Sequence, residues 1–303
     1  MPAIVPTPAR SAATGSTEPT VRRGRRATPY VLLLPGLAWL GVFFVIPLFS
    51  LFATSLQSPL GNSPDDGYYF AWDFSNYATA FQSYGEQFVR SFVYAGTATV
   101  LALVLAYPLA YYIALRAGRW RGLLLVLVVA PFFASFLIRT MAWRTILADE
   151  GMVVSFLNAL HLLPQDRILN TSIAVVTGLT YNFLPFMILP LYASLEKLDP
   201  RLVEAGQDLY AGPFTTFRKV TLPLSMPGVV AGTLLTFIPA AGDYINARLL
   251  GSTQDRMIGN VIDSQFIIVR NYPVASALSF ILMASILLLV FLYIRRSGTE
   301  DLV

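Results

Sequence analysis

Few side chains in this sequence are of the kinds that make or break covalent bonds. The 303 residues include no cysteine and a single histidine, His161, which leaves no thiolate nucleophile, no histidine-based zinc site and no second histidine for a proton relay. The phosphate-binding pattern G-x-x-x-x-G-K-[ST] is absent, so the chain does not bind and hydrolyse ATP by itself. We therefore expect no catalytic residue, no metal site and no cofactor in this chain.

Carboxylates are the remaining reactive groups, and they occur in two informative places. Asp243 stands alone in a long apolar stretch, and an ionisable residue in such a stretch is a functional-site hypothesis. The alternative is an interfacial residue that is hydrated or pairs with an arginine. A denser group, Glu196, Asp199, Glu204 and Asp208, lies in a short polar segment; its spacing fits an amphipathic helix better than the metal site of a lipid-modifying transferase.

The elements that carry these residues are membrane spans. With 55% hydrophobic and 13% charged residues, the chain has about half the charge of a soluble protein, and a water-soluble fold is excluded. Crossing the hydrocarbon core takes about 20 apolar residues. The predicted spans are about 29–56, 88–115, 121–143, 168–194, 223–249 and 272–296. The third is expected to continue to Trp143 because Arg139 can reach outward, and a shorter seventh window, 151–165, is expected to lie along the surface.

The positive charges predict the orientation. Lysines and arginines fall before span one, between spans two and three, between spans four and five, and after span six, whereas the loop after span one carries Asp65, Asp66, Asp73 and Glu86. Both termini are therefore expected to be cytoplasmic. Residues 1–28 are expected to form a disordered basic tail, with an uncleaved anchor favoured over a signal peptide, and residues 297–303 a C-terminal tail.

The segment 196–223, called the elbow below, has the pattern of two short helices. Asp199-Pro200 is a helix start, and Leu202, Ala205, Gly206 and Leu209 follow at i, i+3, i+4, i+7 spacing. Ala211-Gly212-Pro213 ends this helix, and a second stretch runs from Phe214 to Val220 into the next span. The pattern predicts a protruding helix pair whose apolar face is buried only against another protein.

The elbow resembles the cytoplasmic loop of permease subunits of binding-protein-dependent ABC importers, with its pattern E-A-A-x-x-x-G, nine residues, then I-x-L-P. Glu204, Ala205, Gly206, Val220, Leu222 and Pro223 occupy pattern positions. Tyr210 stands where the family has glycine, and since tyrosine resists positive φ, we expect the turn to shift to Gly212. The resemblance implies an all-α membrane protein of the type I, MetI-like permease fold with six spans. It also implies an ATPase-coupling set: Arg201, Leu202, Glu204, Ala205, Gly206, Leu209, Tyr210, Gly212, Leu222 and Pro223.

Two further stretches resemble the spermidine/putrescine branch of these permeases. They are APFFASFLIRTMAWRTIL, around Arg139, and IPAAGDYINARLLGS, around Asp243. The resemblance implies a polycationic substrate, which needs carboxylates for its ammonium groups and aromatic faces for its methylenes. The implied pathway residues are Asp243, Tyr244, Arg139, Trp143 and Tyr181. Arg248 departs from the branch, and a sugar, iron or another small solute is the alternative cargo.

The resemblance also implies partners. They are a second permease subunit of a different sequence, two copies of an ABC ATPase that carry the ATP and Mg²⁺, an external solute-binding protein and the lipids of the bacterial inner membrane. The basic pI of 9.3 reflects topology and gives no support to nucleic-acid binding. Two alternatives of other classes are a secondary transporter, disfavoured because the middle of each span lacks ionisable groups, and an integral-membrane transferase.

Overall fold

Helices make up almost all of the regular structure. The computed structural model describes residues 28–61, 66–161, 167–208 and 210–297. In chain order the helices are α1 (Thr28–Leu40), α2 (Ile46–Ser55), α3 (Ser75–Leu115), α4 (Arg121–Val129), α5 (Phe136–Ile146), α6 (Met152–Ala159), α7 (Ser172–Glu196), α8 (Pro200–Asp208), α9 (Pro213–Thr216), α10 (Leu222–Leu224), α11 (Met226–Ala241), α12 (Ile245–Leu250), α13 (Ile258–Asp263) and α14 (Tyr272–Ser297). The all-α expectation holds apart from one small hairpin, in which β1 (Gln57–Pro59) pairs antiparallel with β2 (Tyr68–Phe70).

Shorter helical turns join several of these helices. They are the π turns Gly41–Val45, Phe217–Thr221 and Ser264–Ile268 and the 3₁₀ turns Gly118–Trp120, Ala130–Phe133 and Thr253–Asp255. The predicted terminal tails lie outside the described residues, except for Thr28 and Ser297. The chain divides into two units at Phe49 and Ser50. Within the first, the rings of Trp39 and Phe43 are 4.1 Å apart between centroids, and both side chains are exposed.

Six apolar spans can be counted in the described part of the chain. Four single helices are long and apolar enough to cross a membrane: Leu32–Ser55, Ser75–Leu115, Ser172–Glu196 and Tyr272–Arg296. Two bent pairs bring the number to six if each pair is one span: Gly118–Phe133 with Phe136–Ile146, and Pro213–Leu224 with Met226–Ala241. The seventh apolar window forms α6, whose eight residues are too few to cross.

The second predicted span is much longer than its apolar window. Helix α3 begins at Ser75, thirteen residues before the predicted start at 88, and its 41 residues extend about 60 Å, twice the thickness of a hydrocarbon core. The predicted span begins after the charged Glu86, which lies in the first third of this helix. Glu86 and Arg90 form an ion pair one turn apart, which suits a helix in water.

The third and fifth predicted spans are broken rather than continuous. The third bends by 95° at Ala134 and Ser135, whose ψ angles of 143° and 139° are extended, so Arg139 and Trp143 lie on a separate helix, α5, and not on a continuation of the same helix as predicted. The fifth bends by 66° at Ser225 and ends at Ala241, eight residues before the predicted end at 249. At each break the regular backbone hydrogen bonding of the helix is interrupted, and the direction of the chain changes.

The core lies where α3, α7 and α11 pack together. Alanines and leucines of α3 and α7 form its centre, including Ala106, Ala110 and Leu191. Helix α11 approaches α7 at two glycines: a Cβ on Gly228 would lie 2.6 Å from Ser194 Cβ, and one on Gly232 would lie 2.8 Å from Met187 Sδ. The two glycines, four residues apart, therefore form a small-x-x-x-small face that lets α11 pack closely against α7.

Candidate functional sites

The elbow forms the helix pair that its sequence predicts. Asp199 Oδ1 accepts the backbone N–H of Arg201 at 3.0 Å, which satisfies a free donor at the start of α8. After α8 ends at Asp208, a second helical stretch runs from Pro213 to Leu224 and bends at Ser225 into α11. The predicted helix start and the predicted second stretch are confirmed.

The turn between the two helices lies at Tyr210 and not at Gly212. Tyr210 has φ +59°, the left-handed conformation that glycine adopts most readily, whereas Gly212 has φ −63°. The expected shift of the turn is therefore wrong. The conformation is held by the N–H of Ala211, which donates to the carbonyl of Gly206 at 3.2 Å. The side chain of Tyr210 is fully exposed.

Gly206 stands at the position of the second alanine in the pattern E-A-A-x-x-x-G. A Cβ at this position would lie 3.1 Å from Thr216 Cγ2, so the absence of a side chain lets α8 approach α9 closely. Gly206 thus faces the second helix. The predicted apolar stripe is divided, because Leu202, 47% exposed, and Ala205 remain uncovered by the described chain. Leu209, the fourth member of the stripe, lies outside the described residues.

Exposed side chains surround this uncovered surface. Phe214 is 75% exposed, and the sequence analysis missed it; a large aromatic directly after Gly-Pro in a polar loop was the available signal. The other predicted coupling residues divide by exposure: Arg201, Glu204, Gly212 and Pro223 are exposed, and Leu222 is half-buried. The elbow therefore presents an apolar surface with a charged border.

Helix α3 holds the base of the elbow. The hydroxyl of Tyr107 lies 2.6 Å from Ser225 Oγ at the bend, and its ring meets Phe217 edge-on at 5.4 Å between centroids. Ser225 Oγ also donates to the carbonyl of Leu222 at 3.1 Å. These contacts join the base of the elbow to α3.

Asp243 occupies the break after α11. Its side chain is 8% exposed, and Oδ1 accepts the backbone N–H of Asn246 at 2.8 Å. The carboxylate therefore satisfies a free donor in the first turn of α12. The two sequence hypotheses for Asp243, a pathway carboxylate and a hydrated interfacial one, both assumed a straight helix; the broken helix gives it a structural partner that neither included.

A buried polar network joins three helices beside this break. Asn182 Nδ2 donates to Thr140 Oγ1 at 3.1 Å and to Asn246 Oδ1 at 3.0 Å, and all three side chains are at most 1% exposed. Gly178 allows the approach, since a Cβ there would lie 2.4 Å from Leu250 Cδ1. Sequence reasoning missed this network because its members are separated by 42 and 64 residues and follow no common spacing.

The other predicted pathway residues lie around the network without forming one cluster. Trp143 and Tyr181 meet edge-on at 5.2 Å between centroids, and Tyr244 is 41% exposed. The guanidinium of Arg139 lies over the rings of Phe132 and Phe136, at 5.0 and 5.6 Å. Arg139 forms no ion pair within the described ranges.

The segment 242–271, called the outer segment below, is fastened to the first half of α3. Ser91 Oγ accepts the N–H of Ile258 at 2.7 Å, and Tyr94 donates to Asp255 Oδ1 at 2.8 Å. Burial opposes ionisation of Asp255, but hydrogen bonds from Ser252 and Tyr94 outweigh it and lower the pKa of the carboxyl.

Across the described parts of the chain, no cluster of three His, Asp or Glu side chains is suited to hold a metal ion.

Comparison with known proteins identifies related sequences along most of the chain. Residues 106–296 match the family described as binding-protein-dependent transport system inner membrane component. The spermidine/putrescine transport system permease protein PotB of Haemophilus influenzae is 42% identical over 262 residues, covering 86% of this chain and 91% of that protein. PotB of Escherichia coli K12 is 37% identical, covering 86% and 94%.

A solved structure has the same fold. The bacterial alginate ABC transporter in complex with an alginate pentasaccharide-bound periplasmic protein contains a chain that superposes with a TM-score of 0.64. The alignment covers 90% of this chain and 94% of that one at 19% sequence identity, so the likeness concerns the fold alone.

Proposed function

This chain belongs to the family of inner membrane components of binding-protein-dependent transport systems, and on that premise we propose that it is the pore-forming permease subunit of an ATP-driven polyamine importer. It is a multi-pass protein of the bacterial inner membrane with the fold of an ABC importer permease. The observation that carries the proposal is the elbow between two spans. It presents an exposed apolar surface, and its residues from Glu204 to Pro223 have the spacing of the family pattern. The family is a transport family and not a catalytic one.

The elbow is the proposed contact with the ATPase. Leu202, Ala205, Tyr210 and Phe214 are exposed apolar groups that gain stability only when another protein covers them. The exposed charges of Arg201 and Glu204 border them and suit the polar rim of an interface. Closure of the ATPase would pull on α9 and α10, and the Tyr107 contacts at Ser225 would carry that movement into α3.

Spermidine or putrescine is the proposed cargo, by analogy with the named substrates of the PotB relatives. Such polycations are bound by carboxylates and by aromatic faces. In our proposal Trp143, Tyr181, Tyr244 and Arg139 border the pathway, and Asp243 fixes the backbone beside Tyr244. The buried network around Asn182 keeps the bordering helices in position.

The partners complete the machine. We propose a second permease chain of different sequence, two ATPase subunits and an external solute-binding protein, with both termini of this chain in the cytoplasm. ATP and Mg²⁺ belong to the ATPase subunits.

Reconstitution tests the proposal. The chain is purified with the products of its neighbouring genes and placed in vesicles with ATP inside and the binding protein outside. We expect an ATPase to co-elute and radiolabelled spermidine or putrescine to enter only with ATP, while a labelled sugar does not. Uptake of a sugar instead would contradict the cargo, and uptake without ATP or a co-eluting ATPase would contradict the importer.

A further inference from the structure

One ion pair in the outer segment is exposed, whereas the other two carboxylates of that segment are buried. Arg248 Nη1 lies 3.2 Å from Asp263 Oδ2, and the two side chains are 63% and 29% exposed. Arg248 is also the residue at which the sequence departs from the polyamine branch. Asp263 lines two open cavities, of about 260 Å³ and about 320 Å³, and Arg248 lines the smaller one.

The larger cavity has the chemistry of a site for an organic cation. Besides Asp263 it is lined by Tyr244 and Phe266, whose side chains are 41% and 46% exposed. A carboxylate with two aromatic faces binds ammonium groups through charge and cation–π attraction and binds methylenes by contact with the rings. Asn260 keeps Tyr244 beside the start of α13, because its Nδ2 donates to the Tyr244 carbonyl at 2.6 Å while its Oδ1 accepts the Met257 N–H.

Asp263 is the carboxylate of this segment that a ligand can reach. The segment 242–271 contains three acidic residues. Asp243 is 8% exposed and bonded to Asn246, and Asp255 is 9% exposed and bonded to Tyr94 and Ser252. Only Asp263, within this fully described segment, faces open cavities and is balanced by an exposed arginine.

We propose that Asp263, with Tyr244 and Phe266, receives an ammonium group of the polyamine, and that Arg248 is an intramolecular substitute which the ammonium group displaces. An ion pair this exposed is weak, so displacing Arg248 costs little. The arginine keeps the carboxylate balanced when no cargo is present and makes entry favourable for polycations over neutral solutes. This inference rests on the proposed polyamine transport.

The test measures turnover of spermidine by the reconstituted importer at saturating, spermidine-loaded binding protein. We expect Asp263→Asn to lower turnover at least about tenfold, the effect of losing one charge contact worth about 1.4 kcal/mol. Asp263→Glu keeps the charge and should retain at least a third of the rate. Arg248→Gln removes only the displaced partner and should not lower the rate.

Arg256→Gln is the matched control. Arg256 is exposed and lines the smaller cavity, yet it has no ion pair in the described part of the chain. Its removal should leave turnover unchanged. Affinity for the loaded binding protein is measured for every variant, since a site that only docks that protein would change affinity and not turnover.

The outcomes distinguish a failure of the proposed function from a failure of this inference. An unmutated complex that moves no polyamine overturns the proposed function together with this inference. An unmutated complex that moves spermidine, while Asp263→Asn moves it equally fast, overturns the inference alone. Equal losses in Arg248→Gln and Asp263→Asn, or a loss of affinity for the binding protein in place of turnover, also overturn it, since the pair would then act structurally or as a docking contact.

Discussion

The elbow and the outer segment are attached to the helix bundle in different ways. The elbow rests on the Tyr107 contacts and the close approach of Gly206 to Thr216, and it leaves Tyr210 and Phe214 in solvent. The outer segment buries two of its three carboxylates and bonds both within the chain. The first surface leaves apolar side chains uncovered by the described chain, whereas the second largely satisfies its own polar groups. An element that docks a partner therefore leaves apolar side chains uncovered. An element that positions other groups has its polar side chains bonded within the chain.

The largest effect is expected from a charge introduced into the elbow. Ala205→Asp places a carboxylate where we propose that the ATPase covers the surface, and burying it without a partner costs about 3 kcal/mol or more. We expect co-purification of the ATPase to fall more than tenfold and uptake to be lost, while the chain still inserts. Ala71→Asp, at an exposed alanine outside the elbow, is the control. Normal uptake by Ala205→Asp would remove the elbow from coupling.

In the outer segment the largest effect is expected from a side chain added at a closely packed glycine. A Cβ on Gly259 would lie 2.6 Å from the carbonyl oxygen of Gly242 and 2.9 Å from that of Asp243, and backbone atoms cannot move aside easily. We expect Gly259→Ala to lower the free energy of unfolding by about 2 kcal/mol. Gly242→Ala is the matched control, because nothing lies within 4 Å of its Cβ position. Thermal unfolding in detergent measures both, and equal midpoints would contradict the close packing.

The sequence predicted the elbow well and the outer segment poorly, for a physical reason. The elbow is local: Asp199-Pro200 and the spacing from Glu204 to Pro223 lie within one short segment. The breaks at Ala134 and Gly242 depend on distant partners. Asn182 joins Thr140 and Asn246, and nothing in a hydropathy window distinguishes a buried asparagine pair from a tolerated polar residue. Helix α3 was placed too late because the charged Glu86 was counted as a boundary.

A smaller effect tests whether Asp243 acts through its hydrogen bond or its charge. Asp243→Ala leaves the buried N–H of Asn246 without an acceptor and should cost about 1 kcal/mol of stability. Asp243→Asn keeps an oxygen acceptor and should retain the stability of the unmutated chain. Unfolding midpoints and spermidine uptake are measured together. Loss of uptake in a fully stable Asp243→Asn would mean that the charge itself serves the pathway and that the segment is less self-contained than we describe.

The smallest expected effect concerns the turn of the elbow. Left-handed backbone costs a residue with a Cβ about 1–2 kcal/mol, and glycine loses about 0.5–1 kcal/mol more chain entropy on folding, so Tyr210→Gly should stabilise the turn by about 0.5–1 kcal/mol. Amide exchange at Ala211, whose N–H bonds Gly206, should slow about two- to fivefold. Gly212→Ala should be tolerated, because Gly212 has φ −63° and open space around its Cβ position. If the turn instead lay at Gly212, Gly212→Ala would speed exchange and Tyr210→Gly would not slow it. ATPase binding should nevertheless weaken in Tyr210→Gly, since the exposed ring that stabilises docking is lost even as the turn itself becomes less strained.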